Sequence, residues 1–70
     1  MTWIDSPESS NLAGFGYDDA SHVLTVEFKS GGRYSYFDVP ETIFEQMKAA
    51  RSKGQFLAQY IKSAFRYARI

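Results

Sequence analysis

From Gln46 to the C-terminus the sequence carries six basic residues and no acid: Lys48, Arg51, Lys53, Lys62, Arg66 and Arg69. Phe56, Tyr60, Phe65 and Tyr67 are interleaved with them. Cations that hold phosphates, beside rings that stack on bases, are the two ingredients of single-strand nucleic-acid recognition. Part of this set has a plainer role, because Phe56 and Tyr60 fall at core spacing on a helix whose other side is solvated. Phe65, Arg66 and Tyr67 lie beyond that apolar stripe and call for another explanation. The candidate nucleic-acid contacts are therefore Arg51, Lys53, Lys62, Phe65, Arg66, Tyr67 and Arg69. Of these, Lys53, Lys62, Arg66 and Arg69 suit phosphate, and Tyr67 with Phe65 suits stacking.

Other arrangements that could do chemistry reduce to structural roles. Ser52 and Lys53 have the residue types of a nucleophile and its base. Adjacent residues at a helix start do not face each other, however, and Ser52 followed by Gln55 has the form of a capping box. His22 lies near Asp18 and Asp19, but a single histidine beside an acidic turn is a weak metal motif, and there is no cysteine to help. Tyr34 and Tyr36 could form a stacking platform on a sheet, although strand register assigns them to the core. No catalytic residue, metal or cofactor is expected, and the chain reads as a non-enzyme.

The formal net charge is zero, and that balance conceals a split. All eight acids lie at or before Glu45, where only Lys29 and Arg33 oppose them. An acidic segment is joined to a basic one, which predicts a cationic face on a polar surface. Seventy residues without cysteine must build one domain on carbon alone. The twelve aromatic residues supply it, each ring removing roughly 150–250 Å² from water. The first residues have neither the basic region nor the apolar run of a signal peptide, and no stretch approaches a membrane span. A cytoplasmic location is expected.

The elements that must position these residues follow from turns and alternation. Residues 1–10 form an N-terminal edge or lid segment, with Trp3 packing on the core and turn chemistry from Asp5 to Ser10. Asn11–Tyr17 and His22–Lys29 read as strands, the second rich in β-branched and aromatic residues. Ser30-Gly31-Gly32 closes a hairpin into Arg33–Phe37, since glycine accepts positive φ. Three-residue and four-residue loops would pair Phe28 with Tyr34, Val26 with Tyr36, Tyr17 with His22 and Phe15 with Leu24. These registers agree on one core face: Ala13, Phe15, Tyr17, Leu24, Val26, Phe28, Tyr34 and Tyr36. Leu12, Gly14, Gly16, Val23, Thr25, Glu27, Ser35 and Phe37 fall on the other. Pro40 suits the first helical position, and Ile43, Phe44, Met47 and Ala50 form an apolar stripe. A second helix starts at Ser52, with Phe56, Leu57, Tyr60, Ile61 and Ala64 on one side. Gly54 in its first turn is a poor helix former, which points to close packing or a ligand. Residues 63–70 form a basic-aromatic tail that either continues the helix or frays.

Taken in order, Ser10-Asn11-Leu12, Gly16-Tyr17-Asp18, Leu24-Thr25-Val26-Glu27-Phe28, Gly31-Gly32-Arg33-Tyr34-Ser35-Tyr36, Val39-Pro40, Ser52-Lys53-Gly54 and Ile61-Lys62 resemble the KTSC domain family. The resemblance runs from about Trp3 to Tyr67. The family's central Tyr-x-Tyr is matched by Tyr34 and Tyr36, and its small-Gly helix start by Ser52 and Gly54. It implies a short module found alone in bacterial and phage proteins and at the C-terminus of some lysyl-tRNA synthetases. RNA binding is the role suggested by that association, and no binding residues carry over with it.

The expected architecture is α+β: a three-stranded antiparallel β-meander followed by two α-helices packed on one face, in a single domain over residues 1–70. The expected function is weak RNA binding, with RNA or tRNA as partner, through the basic-aromatic C-terminal face. The alternative is a small protein-interaction module, of the kind a phage could encode, docking on a host protein. Its contact would be the exposed sheet face around Val23, Thr25 and Phe37, or a free edge strand.

Overall fold

The computed structural model describes residues 2–70. It contains one antiparallel sheet of five strands in the order β1-β2-β3-β4-β5, where the sequence reading expects three. The meander is present as β2 (Leu12–Asp18), β3 (Val23–Phe28) and β4 (Arg33–Tyr36). The two additional strands come from the terminal segments. β1 (Thr2–Asp5) pairs with β2, and β5 (Tyr67–Arg69) pairs with β4. Neither has a long alternating pattern, so each becomes a strand only because a finished edge offers it hydrogen-bond partners.

Both hairpin registers differ from the expected ones by two residues. Tyr17 lies opposite Leu24 and Phe15 opposite Val26, while Val26 meets Tyr34 and Leu24 meets Tyr36. In the first loop His22 takes up a left-handed backbone (φ 57°) and its carbonyl accepts from Val39 N–H. In the second, Phe28 and Gly32 close a loop of the expected length but one position earlier, Lys29-Ser30-Gly31, with Gly31 at φ 103°. A shift of two preserves the face of every side chain, whereas a shift of one would invert it. The core face is therefore right where the partners were wrong.

One position is inverted. The β2–β3 register shifts between Leu12 and Gly14, a bulge that places one extra residue on β2. Leu12, opposite Phe28, turns inward and is fully buried, and Ala13 is left half-buried. The same outer face corrects Trp3, which does not enter the core. Trp3 stands opposite Gly16, and its ring lies so close to Gly14 that a Cβ there would come within 2.9 Å of it. Gly14 therefore makes room for an indole. Arg33 sits 5.7 Å from the centre of that ring.

The helices cover the opposite face. α1 (Glu41–Ala49) begins after Pro40, which is extended and serves as the flanking cap residue rather than the first helical one. Phe44 and Met47 are its buried residues. The Phe44 ring stacks on Tyr17 at 4.9 Å and meets Phe15 edge-on at 5.9 Å. The Tyr17 hydroxyl donates to the Val39 carbonyl, tying the sheet to the β4–α1 link. α2 (Lys53–Phe56) is capped as expected, with Ser52 Oγ accepting from Gln55 N–H at 3.3 Å. It runs on into a π-helical turn, Leu57–Ile61, closed by Lys62 N–H to the Leu57 carbonyl. That wider turn narrows the apolar stripe. Leu57 and Ile61 are buried, whereas Tyr60 and Ala64 are exposed, against the helical-spacing expectation.

Gly54 is explained by packing. It is buried, and an added Cβ would overlap the side-chain amide of Asn11. The core joins both layers: Leu12, Phe15, Leu24, Val26, Val39, Met47, Leu57 and Ile61 retain almost no exposed surface. Each such side chain is worth about 1.5–3 kcal/mol in burial.

Candidate functional site

β4 ends the meander with Tyr34 and Tyr36 on the helix-covered face, and β5 extends that face. Tyr67 lies opposite Tyr36 and Arg69 opposite Tyr34, so alternation along Tyr67-Ala68-Arg69 directs both side chains to the same side. Lys62 leaves the end of the π-helical turn just above. Phe28, Tyr34, Tyr36, Tyr67 and Lys62 together line a cavity of about 230 Å³. Phe28 meets Tyr34 edge-on at 5.6 Å, and Tyr67 lies 5.8 Å from Tyr34 and 5.6 Å from Tyr36.

One cation lines it and a second lies beside it. The Lys62 ammonium is 5.6 Å from the Phe28 ring centre, and the Arg69 guanidinium is 5.9 Å from that of Tyr34. The trough is thus walled by π-surfaces that differ in exposure. Tyr36 is buried, Tyr34 and Phe28 are half-buried, and Tyr67 is 58% exposed. Burial, then the neighbouring Tyr67 and Tyr34 hydroxyls, raise the Tyr36 pKa. Its hydroxyl therefore stays a neutral donor and acceptor at neutral pH. A flat ring entering here would find aromatic faces, with cations at hand for an attached phosphate.

The remaining sequence-derived candidates lie elsewhere. Phe65 is half-buried and packs on the core cluster, so it is not a free stacking face. Arg66 extends over the Phe37 ring at 6.0 Å and pairs with Asp38 at 3.4 Å, both partners more than 80% exposed. An ion pair that open contributes little. Arg51 and Lys53 line a separate concavity with Ser6, Glu8, Ser9, Ser10 and Ser52. Lys53 also donates to the Ala50 carbonyl at 2.9 Å, just past the end of α1.

Of the alternative docking residues, Val23 and Phe37 are half-buried. Thr25 is 7% exposed and is engaged with Ser35 Oγ at 3.3 Å, so it is not part of an exposed face. Its row across the sheet, Trp3, Gly16, Thr25, Ser35 and Ala68, is closed at one side by the indole. Sequence reasoning weighed Tyr34 and Tyr36 as a stacking pair and assigned them to the core. It missed that a fifth strand would make them, with Phe28, the walls of a recess. The signal was Tyr-Ala-Arg alternation at the chain end, too short to identify a strand by itself.

A five-stranded antiparallel meander with two helical segments on one face defines a small α+β module. The KTSC domain model matches residues 8–65, and the chain belongs to that family. A lysine–tRNA ligase from a Nostoc species is 41% identical over 64 residues, which is 91% of this chain but 11% of that protein. The chain thus spans about a tenth of the length of the ligases it resembles. A short protein of Tsukamurella paurometabola is 39% identical over 84% of this chain and 88% of its own length. The crystal structure of a KTSC domain protein from Yersinia pestis superposes with a TM-score of 0.88 at 33% identity, covering 99% of each chain. The same module therefore occurs as a short protein and as a small part of a tRNA ligase. No helix among the described residues is long and apolar enough to cross a membrane.

Proposed function

We propose that this chain is a non-enzymatic module that binds single-stranded RNA weakly, with the trough between Lys62, Tyr67 and Arg69 as its contact. The observation that carries the reading is the convergence of three tyrosines, a phenylalanine and Lys62 on one concavity, with Arg69 beside the Tyr34 ring. Its shape and lining match what an unstacked base with a flanking phosphate requires. Tyr67 and Tyr34 offer the accessible faces, Lys62 and Arg69 the phosphate contacts. The relatives that carry a similar segment inside lysine–tRNA ligases support RNA, tRNA included, as the partner. A cytoplasmic place of work goes with that reading. The sheet-face docking alternative has less to stand on, since Thr25 is buried and Arg66 lies over Phe37.

The test is an amide NMR titration of the labelled chain with short single-stranded RNA and with tRNA. Shifts are expected at Lys62, Tyr67, Arg69 and Tyr34, and Tyr67→Ala or Lys62→Glu should weaken binding about fivefold or more. A silent spectrum at low salt with both RNAs overturns the reading. Binding to a protein partner that is lost on Phe37→Asp and kept on Lys62→Glu would favour the sheet-face alternative instead.

A further inference from the structure

The second concavity, about 230 Å³ between the β1–β2 loop and the α1–α2 junction, is lined by four serines, Arg51, Lys53 and Glu8. Two of those serines are already committed. Ser9 Oγ donates to Asn11 Oδ1 and accepts from Leu12 N–H, and Ser52 Oγ accepts from Gln55 N–H but keeps its own proton to give. Ser6 is different. It is fully buried, its backbone N–H and carbonyl are both engaged, and its hydroxyl is the one buried side-chain polar atom without a partner among the described residues. A buried hydroxyl left unpaired costs free energy and is retained where something else fills its need. The Lys53 ammonium spends one N–H on the Ala50 carbonyl and has two left, and the Arg51 side chain is exposed. The loop itself is held from the other side by Lys29 Nζ, which donates to the Pro7 carbonyl at 3.0 Å.

We infer that this concavity is a phosphate site: the Ser6, Ser10 and Ser52 hydroxyls, with Arg51 and Lys53, receive the oxygens of a phosphate group. Hydroxyl donors beside an arginine and a lysine suit a compact oxyanion. Glu8 is the opposing charge on the rim and weakens the site without closing it. The inference stands apart from the aromatic trough, because it shares no residue with it and is read at different amides.

The experiment titrates the labelled chain with inorganic phosphate, against chloride at matched ionic strength. Saturable shifts at Ser6, Ser9, Ser10 and Lys53 are expected with phosphate only. Ser6→Ala should lower phosphate affinity about tenfold or more, the equivalent of one hydrogen bond to a charged group. It should leave the melting temperature unchanged or slightly higher, since it removes an unpaired buried hydroxyl. Arg51→Gln should weaken the site and Glu8→Gln should tighten it. A short RNA with a 5′-phosphate, compared with its 5′-hydroxyl form, separates the sources of the anion. Preference for the phosphorylated end identifies an RNA terminus, and equal response to both with phosphate still bound identifies a small free phosphate. Identical shifts with chloride, or unaltered phosphate affinity in Ser6→Ala, overturns the inference.

Discussion

Gly14 and Tyr17, both on β2, show how single residues set this fold. Gly14 has no side chain because the Ile4 carbonyl oxygen and the Trp3 ring occupy that space, each 2.9 Å from where a Cβ would be. The oxygen is backbone and cannot swing aside. Gly14→Ala should therefore destabilise the chain by about 1–3 kcal/mol, the usual cost of overpacking, and thermal melts would measure it. Tyr17 is buried, and burial followed by the nearby Glu41, Asp19 and Asp18 carboxylates raises its pKa. Tyr36 is raised too, again first by burial. In the unfolded chain both hydroxyls ionise near the ordinary value of about 10, before they do in the folded one. The stability linked to them is fully present below that value and is lost as pH rises through the higher folded pKa. Urea midpoints should thus be flat between neutral pH and about 9 and fall beyond about 10. The fall should be shallower in Tyr17→Phe, and an equally steep fall there would exclude Tyr17 as a cause.

At the level of elements, β5 is the piece on which the trough depends. It is three residues long and wholly exposed, and it is held by β4 alone. Ala68 lies opposite Ser35, between the bonds that Ile70 N–H and Phe37 N–H make with the Arg33 and Arg66 carbonyls. Proline at this position removes a ladder donor and cannot sit within paired strands. Ala68→Pro should release β5, with amide exchange protection lost from 67 to 70 and retained across β2, β3 and β4. RNA binding should fall with it, because Tyr67 and Arg69 leave the site together. Full RNA affinity with β5 released would mean that the trough is not the contact. Ser52 is a second element-scale lever. Its side chain is the cap on α2, and Ser52→Ala should cost about 0.5–2 kcal/mol in denaturant unfolding.

Across the whole molecule the charge split acquires a direction. The acidic N-terminal part supplies β1, the β2–β3 turn with Asp18 and Asp19, and the start of α1. The basic part supplies β5, at the opposite edge of the sheet from β1, and α2, whose start lies beside the β1–β2 loop. With only Lys62 and Arg69 at the trough, two phosphate contacts give a slope of about −1.4 for log K against log salt on a single strand. Raising salt from about 50 to 200 mM should then weaken RNA binding about sevenfold. Arg69→Gln should roughly halve that slope, and isothermal titration at four salt concentrations would measure both. A salt-independent affinity would be incompatible with phosphate contacts.

The sequence by itself determined the three central strands, the start of α2 at its Ser52 cap, the start of α1 to within a residue and which face of the meander is buried. These are local matters: alternation, turn glycines and capping chemistry act over a few residues. Even a wrong pairing left the face intact, because both registers erred by an even number. Tertiary structure alone decided what depends on partners distant in the chain. It recruited the two termini as edge strands, turned Leu12 inward at the bulge, placed Trp3 against Gly14 and set Lys62 in a different concavity from Arg51 and Lys53. Short segments such as Thr2–Asp5 and Tyr67–Arg69 carry too little pattern to specify a strand. Their conformation is set when an existing edge supplies the hydrogen bonds that the segments cannot make alone.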